Sequence, residues 1–474
     1  MLPMIALAGA IGTGLFLGSG SAIAQAGPLG AFLGYTIVGV LVVGSVFSIA
    51  EMSALVTLSG GIIRHAEHFV DPALSFAGGW NYVYYSLMAP PAEVVAAAVL
   101  VEFWLTVNNA IWITVFGLLL VASIIILVRI YGKLDIDHTI PFAMLKIMLI
   151  VGLNIMALVV ACGCGPDHHA YGFQYWRNPG PFVQYLGIDG SLGRFLGFWT
   201  VFSNAVYAYS GVGYIAVAAA ETESPRRNVP TAAKRIFWRV GLFYALSMFM
   251  VGLIVPSNDE NLLQTSGTAA QSPFVIAATR AGIKIVPLII NAVVLNSAWS
   301  SGNSGLLSGS RVLYGLAQEG RAPRILKRTN RLGIPWVAVL SMGVFLGLGY
   351  MTSGNTASTV FTWLQDLVSV CALVNWIIIC TVYLRFYYAM KKQNISRDRL
   401  SWKAPGWDTE TFISKYINIP LVIALYIGFK LFKKSNIVPL ANVPILHYIE
   451  IAEHNPEPPP KPVTGWRRLN ILWS

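Results

Sequence analysis

The sequence predicts an all-α polytopic membrane protein, and three observations carry that prediction. Hydrophobic residues fill 55% of 474 positions and charged residues only 11%, with a mean hydropathy of +0.63, a balance outside the range of soluble domains. Apolar runs long enough to cross a bilayer recur along the chain, centred on 4–24, 31–55, 80–104, 110–129, 140–161, 195–219, 236–256, 283–307, 334–352, 362–388 and 412–432. Two of these runs, the first and the sixth, are broken by glycines at matching places.

The first run, Ile5 to Gly20, is apolar yet carries glycines at 9, 12, 14, 18 and 20. An unwound turn in hydrocarbon leaves backbone N–H and C=O groups unpaired at several kcal/mol each, so it persists only where it is buried in protein or lines a wet cavity. Half-helix ends facing such a break offer oriented dipoles to an anion or a cation. Gly12-Thr13-Gly14 is therefore expected to floor a small-molecule site. No charged residue occurs from Met1 to Ala50, which allows two spans separated near Gly27-Pro28. The lack of a basic leader and the length of the run argue against a cleavable signal peptide.

Lys and Arg in the breaks between runs set the orientation. With the N-terminus inside, nineteen fall in cytoplasmic breaks, densest at 226–239, 321–331 and 385–403. Four fall outside: Arg177, Arg194, Arg280 and Lys284. The basic pI of about 9.4 therefore reflects topology, and no nucleic-acid partner is expected.

The sixth run contains Tyr209-Ser210-Gly211-Val212-Gly213. Broken helices five spans apart are the signature of two inverted five-helix repeats with a site between them at the midplane; small residues that let helices pack closely are the alternative. The expected organisation is a first repeat over 1–162, an external loop over 163–194 and a second repeat over 195–388. A cytoplasmic loop over 389–411, a last span over 412–432 and a tail over 433–474 follow.

Charges inside spans are costly and mark function. Lys146 lies nine residues past Asp137, about 13 Å along a helix and so near the middle of its span. Burial draws a lysine toward proton exchange, which makes it a candidate for proton coupling, with a snorkelling role as the alternative. Glu93 lies thirteen residues beyond Trp80, about 20 Å along, in the outer half of the third span by this count. No direct pair with Lys146 is expected. Glu93 either selects or protonates with substrate, or anchors the Pro90-Pro91 kink. Ser297, with Asn296 and Trp299, could line the cavity from the eighth span and Ser369 from the tenth. Glu51 and Arg311 suit gates or loop anchors. His65, His68, His168 and His169 read as solvated loop residues. The four cysteines form no disulfide framework, and neither a metal site nor a catalytic constellation is visible.

Six ordered blocks then resemble fungal amino-acid permeases of the amino acid–polyamine–organocation superfamily. They are MIALAGAIGTGLFLGSGSAIAQAGPLG at the start, FVDPALSFAGGWNY (69–82), GFQYWRNPGPF (172–182), AAAETESPRRNVPTAAKRIFWR (218–239), INAVVLNSAWSSGNSGLLSGSRVLYGLAQEGRAPRILKRTNRLGIP (290–335) and the tail block 437–459. The resemblance implies a 5+5 inverted-repeat core followed by two helices, and proton-driven amino-acid uptake across the plasma membrane without a cofactor. It places the substrate carboxylate on the backbone around Ala10, Gly12, Thr13 and Gly14. It places the ammonium on the turn at Tyr209, Ser210 and Gly211, with an aromatic side chain of that helix closing over it. A lysine on the fifth helix resembles a stand-in for a coupling sodium ion.

Three departures accompany the likeness. Gly213 stands where the family usually has Glu, which moves proton or substrate work toward Glu93 or Lys146. The chain starts almost at the first span, without the family's basic tail, and the fifth-span entry GKLDIDHTIPFAMLK is altered. The usual eleventh helix is expected to be missing after SWKAP (401–405), leaving about eleven spans. An amino-acid sensor on a permease fold, or an inactive shortened permease, remain the alternatives. A channel lacks its continuous polar pore.

Overall fold

The computed structural model describes residues 13–55, 61–104, 108–127, 139–166, 168–213, 225–236, 242–263, 272–331, 333–354 and 356–395. Among them the regular structure is entirely helical. The principal helices are α1 (Gly18–Leu55), α2 (Ile62–Phe69), α3 (Pro72–Val101), α4 (Asn109–Ala122), α5 (Thr139–Ala161), α6 (Gly190–Tyr209), α7 (Pro225–Ile236), α8 (Leu242–Ile254), α9 (Ile285–Gln318), α10 (Trp336–Gly343) and α11 (Ala357–Lys392). Six described helices are long and apolar enough to cross a bilayer: Gly18–Ser53, Pro72–Val101, Met144–Ala161, Ile285–Gln318, Trp336–Ser353 and Ala357–Lys392. Shorter apolar helices cover Ala110–Ile125 and Phe243–Ile254. The expected last span at 412–432, the tail and the missing-helix question lie outside the described residues.

The end of the first expected span, from Gly18, and the second span make up α1, in which two helical segments meet at a kink at Gly27. Gly27 takes φ 78°, a left-handed conformation that only glycine adopts freely. A Cβ there would also stand 2.7 Å from the Pro181 carbonyl oxygen. The external loop docks on this bend, with Leu29 N–H donating to Pro181 O (3.1 Å) and Val183 N–H to Ala26 O (3.3 Å). Asp71 caps α3, its carboxylate accepting from Ala73 N–H at 2.6 Å with Pro72 at the first helical position.

Close helix approach is built on small residues. Gly34 of α1 faces Val201 of α6, and Gly39 faces Tyr209; a Cβ at either position would meet those side chains at 2.6 and 2.7 Å. Gly309 of α9 sits against Ser86 of α3 and Met342 of α10, beside a hydrogen bond between Tyr82 Oη and Ser308 Oγ (2.7 Å). The resulting core is continuous through α1, α3, α6, α9 and α11.

Helix α5 shows the membrane setting most directly. Leu145, Met148, Val151, Ile155, Leu158 and Val159 are exposed while Lys146, Ile150, Leu153, Asn154, Ala157 and Val160 are buried. The exposed face repeats every three to four residues and is wholly apolar, as a lipid-facing surface requires. The polar residues face inward, where Asn154 donates to Ser247 of α8 at 3.0 Å.

On the side toward the basic breaks, Arg64, Glu67, Glu319 and Arg321 form a ring of ion pairs. Arg64 Nε lies 2.8 Å from Glu319 and Arg321 lies 2.7 Å from Glu67. The ring ties α2 to the end of α9. Glu51 accepts a hydrogen bond from Tyr383 Oη at 3.0 Å, which fits an anchor. The expectation of solvated histidines fails at His65, which is buried and stacked on Phe69 at 5.7 Å. It lies on the apolar face of α2, which packs against α11 through Phe386 and Met390.

Candidate functional site

The chain is in a turn at Thr13–Leu17 before α1 begins at Gly18. Leu17 N–H donates to Thr13 O (2.9 Å) and Gly18 N–H to Gly14 O (3.1 Å), so Thr13 and Gly14 cap the helix with their carbonyls. Ala10 and Gly12 lie outside the described residues. α6 is helical to Tyr209 and then tightens into a 3₁₀ turn, Ser210–Gly213.

These two places touch. A Cβ on Gly14 would lie 2.7 Å from the Tyr207 ring and 3.0 Å from Ala208 Cα, a backbone approach that only glycine permits. The sequence places Gly14 and Tyr207 on separate runs, 193 residues apart; the packing of the first break on α6 makes them one locus.

Glu93 is drawn into that locus. Thr13 Oγ1 donates to Glu93 Oε2 at 3.0 Å and Tyr207 Oη to Glu93 Oε1 at 3.4 Å. Thr13 and Glu93 are both buried. The contact places Glu93 beside the first break, a meeting that counting residues along α3 does not reveal.

Lys146 enters from α5, buried, with Nζ donating to the Ser297 carbonyl of α9 at 3.5 Å. Lys146 and Glu93 are both buried and their charges influence one another, without the direct pair that the sequence also did not lead one to expect. The snorkelling alternative for Lys146 is excluded by its place on the inward face of α5. Ser297 serves here through its carbonyl, as the acceptor for Lys146.

Tyr209, Ser210 and Gly211 are described, and their side chains divide. Tyr209 points away from Glu93, its hydroxyl donating to the Tyr35 carbonyl at 3.3 Å and its ring against Tyr244 at 4.7 Å. Ser210 Oγ donates to Tyr207 O at 2.8 Å and accepts from Tyr85 Oη at 3.3 Å. Sequence reasoning missed Tyr207, the aromatic that faces the locus, and Phe361 of α11, which packs edge-on against it at 5.8 Å. A signal existed for Tyr207: residues two apart on a helix project about 200° apart, so one of Tyr207 and Tyr209 had to face the break and the other away. Ser369, by contrast, donates to Ser203 O (2.9 Å) and Gln365 O (2.8 Å), joining α11 to α6.

Chemically the locus holds two buried opposite charges, hydroxyl donors and two helix breaks in contact. Among the described residues no group of His, Cys, Asp and Glu could hold a metal ion.

Residues 2–407 match the family model described as amino acid permease. The chain is 33% identical to the dicarboxylic amino acid permease of Saccharomyces cerevisiae over 96% of its own length and 80% of that relative. It is 37% identical to the proline-specific permease of Emericella nidulans, covering 88% of the chain and 76% of the relative. To the general amino-acid permease of Saccharomyces cerevisiae it is 33% identical, with 92% and 75% covered.

Proposed function

Because the chain belongs to the amino acid permease family, and so is an integral multi-pass transporter of amino acids and not an enzyme, we propose that it couples uptake to protons by alternating access. The observation that carries this reading is the buried Glu93, hydrogen-bonded to Thr13 and Tyr207 at the two breaks, with the buried Lys146 near enough to influence its charge. With Glu93 ionised and Lys146 charged, the two sum to zero. A proton added to Glu93 leaves the Lys146 charge uncompensated in a buried setting, and that difference is what substrate and conformation can each bias.

The substrate zwitterion lies between the breaks, its carboxylate on the backbone around Ala10, Gly12, Thr13 and Gly14 and its ammonium on the carbonyls at Tyr209, Ser210 and Gly211. Tyr207 closes over it. The named relatives are a dicarboxylic, a general and proline-specific permeases, so their names do not narrow the class. Glu93 already has Lys146 as its counter-charge, which supports a neutral amino acid of modest side chain. The fold is two inverted five-helix repeats within about eleven spans, N-terminus inside, in the plasma membrane; the split of Lys and Arg between the breaks supports this orientation.

The test is uptake of a panel of radiolabelled amino acids in cells expressing the chain or its Lys146→Ala variant, with and without protonophore. Accumulation that protonophore abolishes and the variant lacks is the expected result. Facilitated entry without accumulation would refute proton coupling. Correctly localised chain that takes up none of the panel would favour a binding-only or inactive protein.

A further inference from the structure

A second polar chamber lies one helical turn beyond the locus on each of three helices. It measures about 390 Å³ and is lined by Gly18 and Ser21 where the turn carries Gly14, by Ala96 where α3 carries Glu93, and by Asn204 where α6 carries Tyr207. Phe361 belongs to its wall and packs on the Tyr207 ring, so this aromatic pair partitions the chamber from Glu93. Tyr185 and Leu262, also among its lining residues, come from the breaks that carry few basic residues.

The polar groups of the chamber divide by charge. Asp366 stands nine residues into α11, about 14 Å along that helix. It accepts a hydrogen bond from Ser203 Oγ at 2.5 Å, and no cation is paired with it among the described residues. A carboxylate within a span and without a counter-ion is costly unless it faces water or a ligand cation. On the same seam of α6 and α11, Asn204 Oδ1 accepts from both Ser21 and Gln365. Its amide N–H groups are thereby turned elsewhere, with no acceptor on them among the described residues. Asn204 and Gln365 are both largely buried, so these donors are fixed in place and not free at a surface. An acceptor carboxylate and, one residue along each helix of the seam, the unused amide N–H groups of Asn204 match the two ends of an α-amino acid, and the volume suits one small ligand.

We infer that this chamber is an outer reception site, in which Asp366 binds the ammonium of an amino acid and Asn204 its carboxylate before the Tyr207–Phe361 partition opens. The proposal rests on the transport reading for its ligand, yet it makes a separate claim, that the amino acid is held in the chamber when the inner site is disabled. A single carboxylate also makes the chamber selective for cationic groups.

The experiment places a cysteine at Thr362, on the chamber wall, in the full chain with the exposed Cys162 and Cys164 replaced by Ser. Intact cells are labelled with membrane-impermeant methanethiosulfonates bearing a trimethylammonium or a sulfonate. L-proline, L-lysine and L-glutamate are added in turn as protectants. The expected result is faster labelling by the cationic reagent and at least one amino acid slowing it by about tenfold when supplied at about ten times its dissociation constant. That protection persists in Glu93→Gln and is lost in Asp366→Asn, whose own unprotected labelling shows the chamber still formed. Protection lost in Glu93→Gln would overturn the proposal, reducing the chamber to a passage, while uptake by the unmodified chain keeps the transport reading. Neither protection nor uptake in the unmodified chain would overturn both.

Discussion

Replacing Thr13 by Val keeps the side-chain shape and removes one hydroxyl, the donor to Glu93 Oε2 at 3.0 Å. Thr13 is fully buried and Glu93 nearly so, so water cannot take its place. A hydrogen bond to a charged group is worth about 1.5–3 kcal/mol, which corresponds to roughly 10- to 150-fold in an equilibrium or rate ratio. Thr13→Val alone is expected to lower kcat/KM for uptake by this factor. Glu93→Gln removes the charge that makes the bond strong, and with it most of what Thr13 contributes. A double-mutant cycle on kcat/KM of uptake should then show coupling of about 1.5 kcal/mol or more. Additivity within about 0.5 kcal/mol would mean that the Thr13–Glu93 contact is incidental to transport, and the placement of Glu93 at the substrate site would fall with it.

Lys146→Met should leave the protein in the membrane and bring the protonophore-sensitive accumulation ratio to about one, measured as internal against external label at steady state. Gly34→Ala puts a methyl group 2.6 Å from Val201 Cγ1, and overpacking of about 1–3 kcal/mol should lower the melting temperature in detergent; Val201→Ala in the same chain should restore it. Arg321→Ala removes contacts to Glu67, Glu319 and Ser75, but the ring is partly exposed, so thermal unfolding should report no more than about 1 kcal/mol, diminishing in high salt.

Much of this protein is legible from the sequence because bilayer burial acts on local composition. The apolar runs, the bend at Gly27-Pro28, the turn ahead of α1 and the 3₁₀ tightening after Tyr209 all follow from residues within a few positions of one another. Lys146 is equally legible: a charge within an apolar run must face inward, and the exposed face of α5 leaves it no other direction. What sequence could not give is rotation and contact. Counting along α3 gives Glu93 a position on its helix, but only packing brings it to Thr13. Tyr209 and Tyr207 are indistinguishable by type, and only the contact of α6 with α1 and α11 turns Tyr207 to the site and Tyr209 to Tyr35. The polar chamber is assembled from residues on α1, α3, α6 and α11, far apart in the chain, and no one of these residues announces it. Local sequence fixes which segments enter the membrane and where they break, because the free energy of burying backbone and side chains there is decided residue by residue. Packing between helices decides which groups meet, because that depends on surfaces contributed by several segments together.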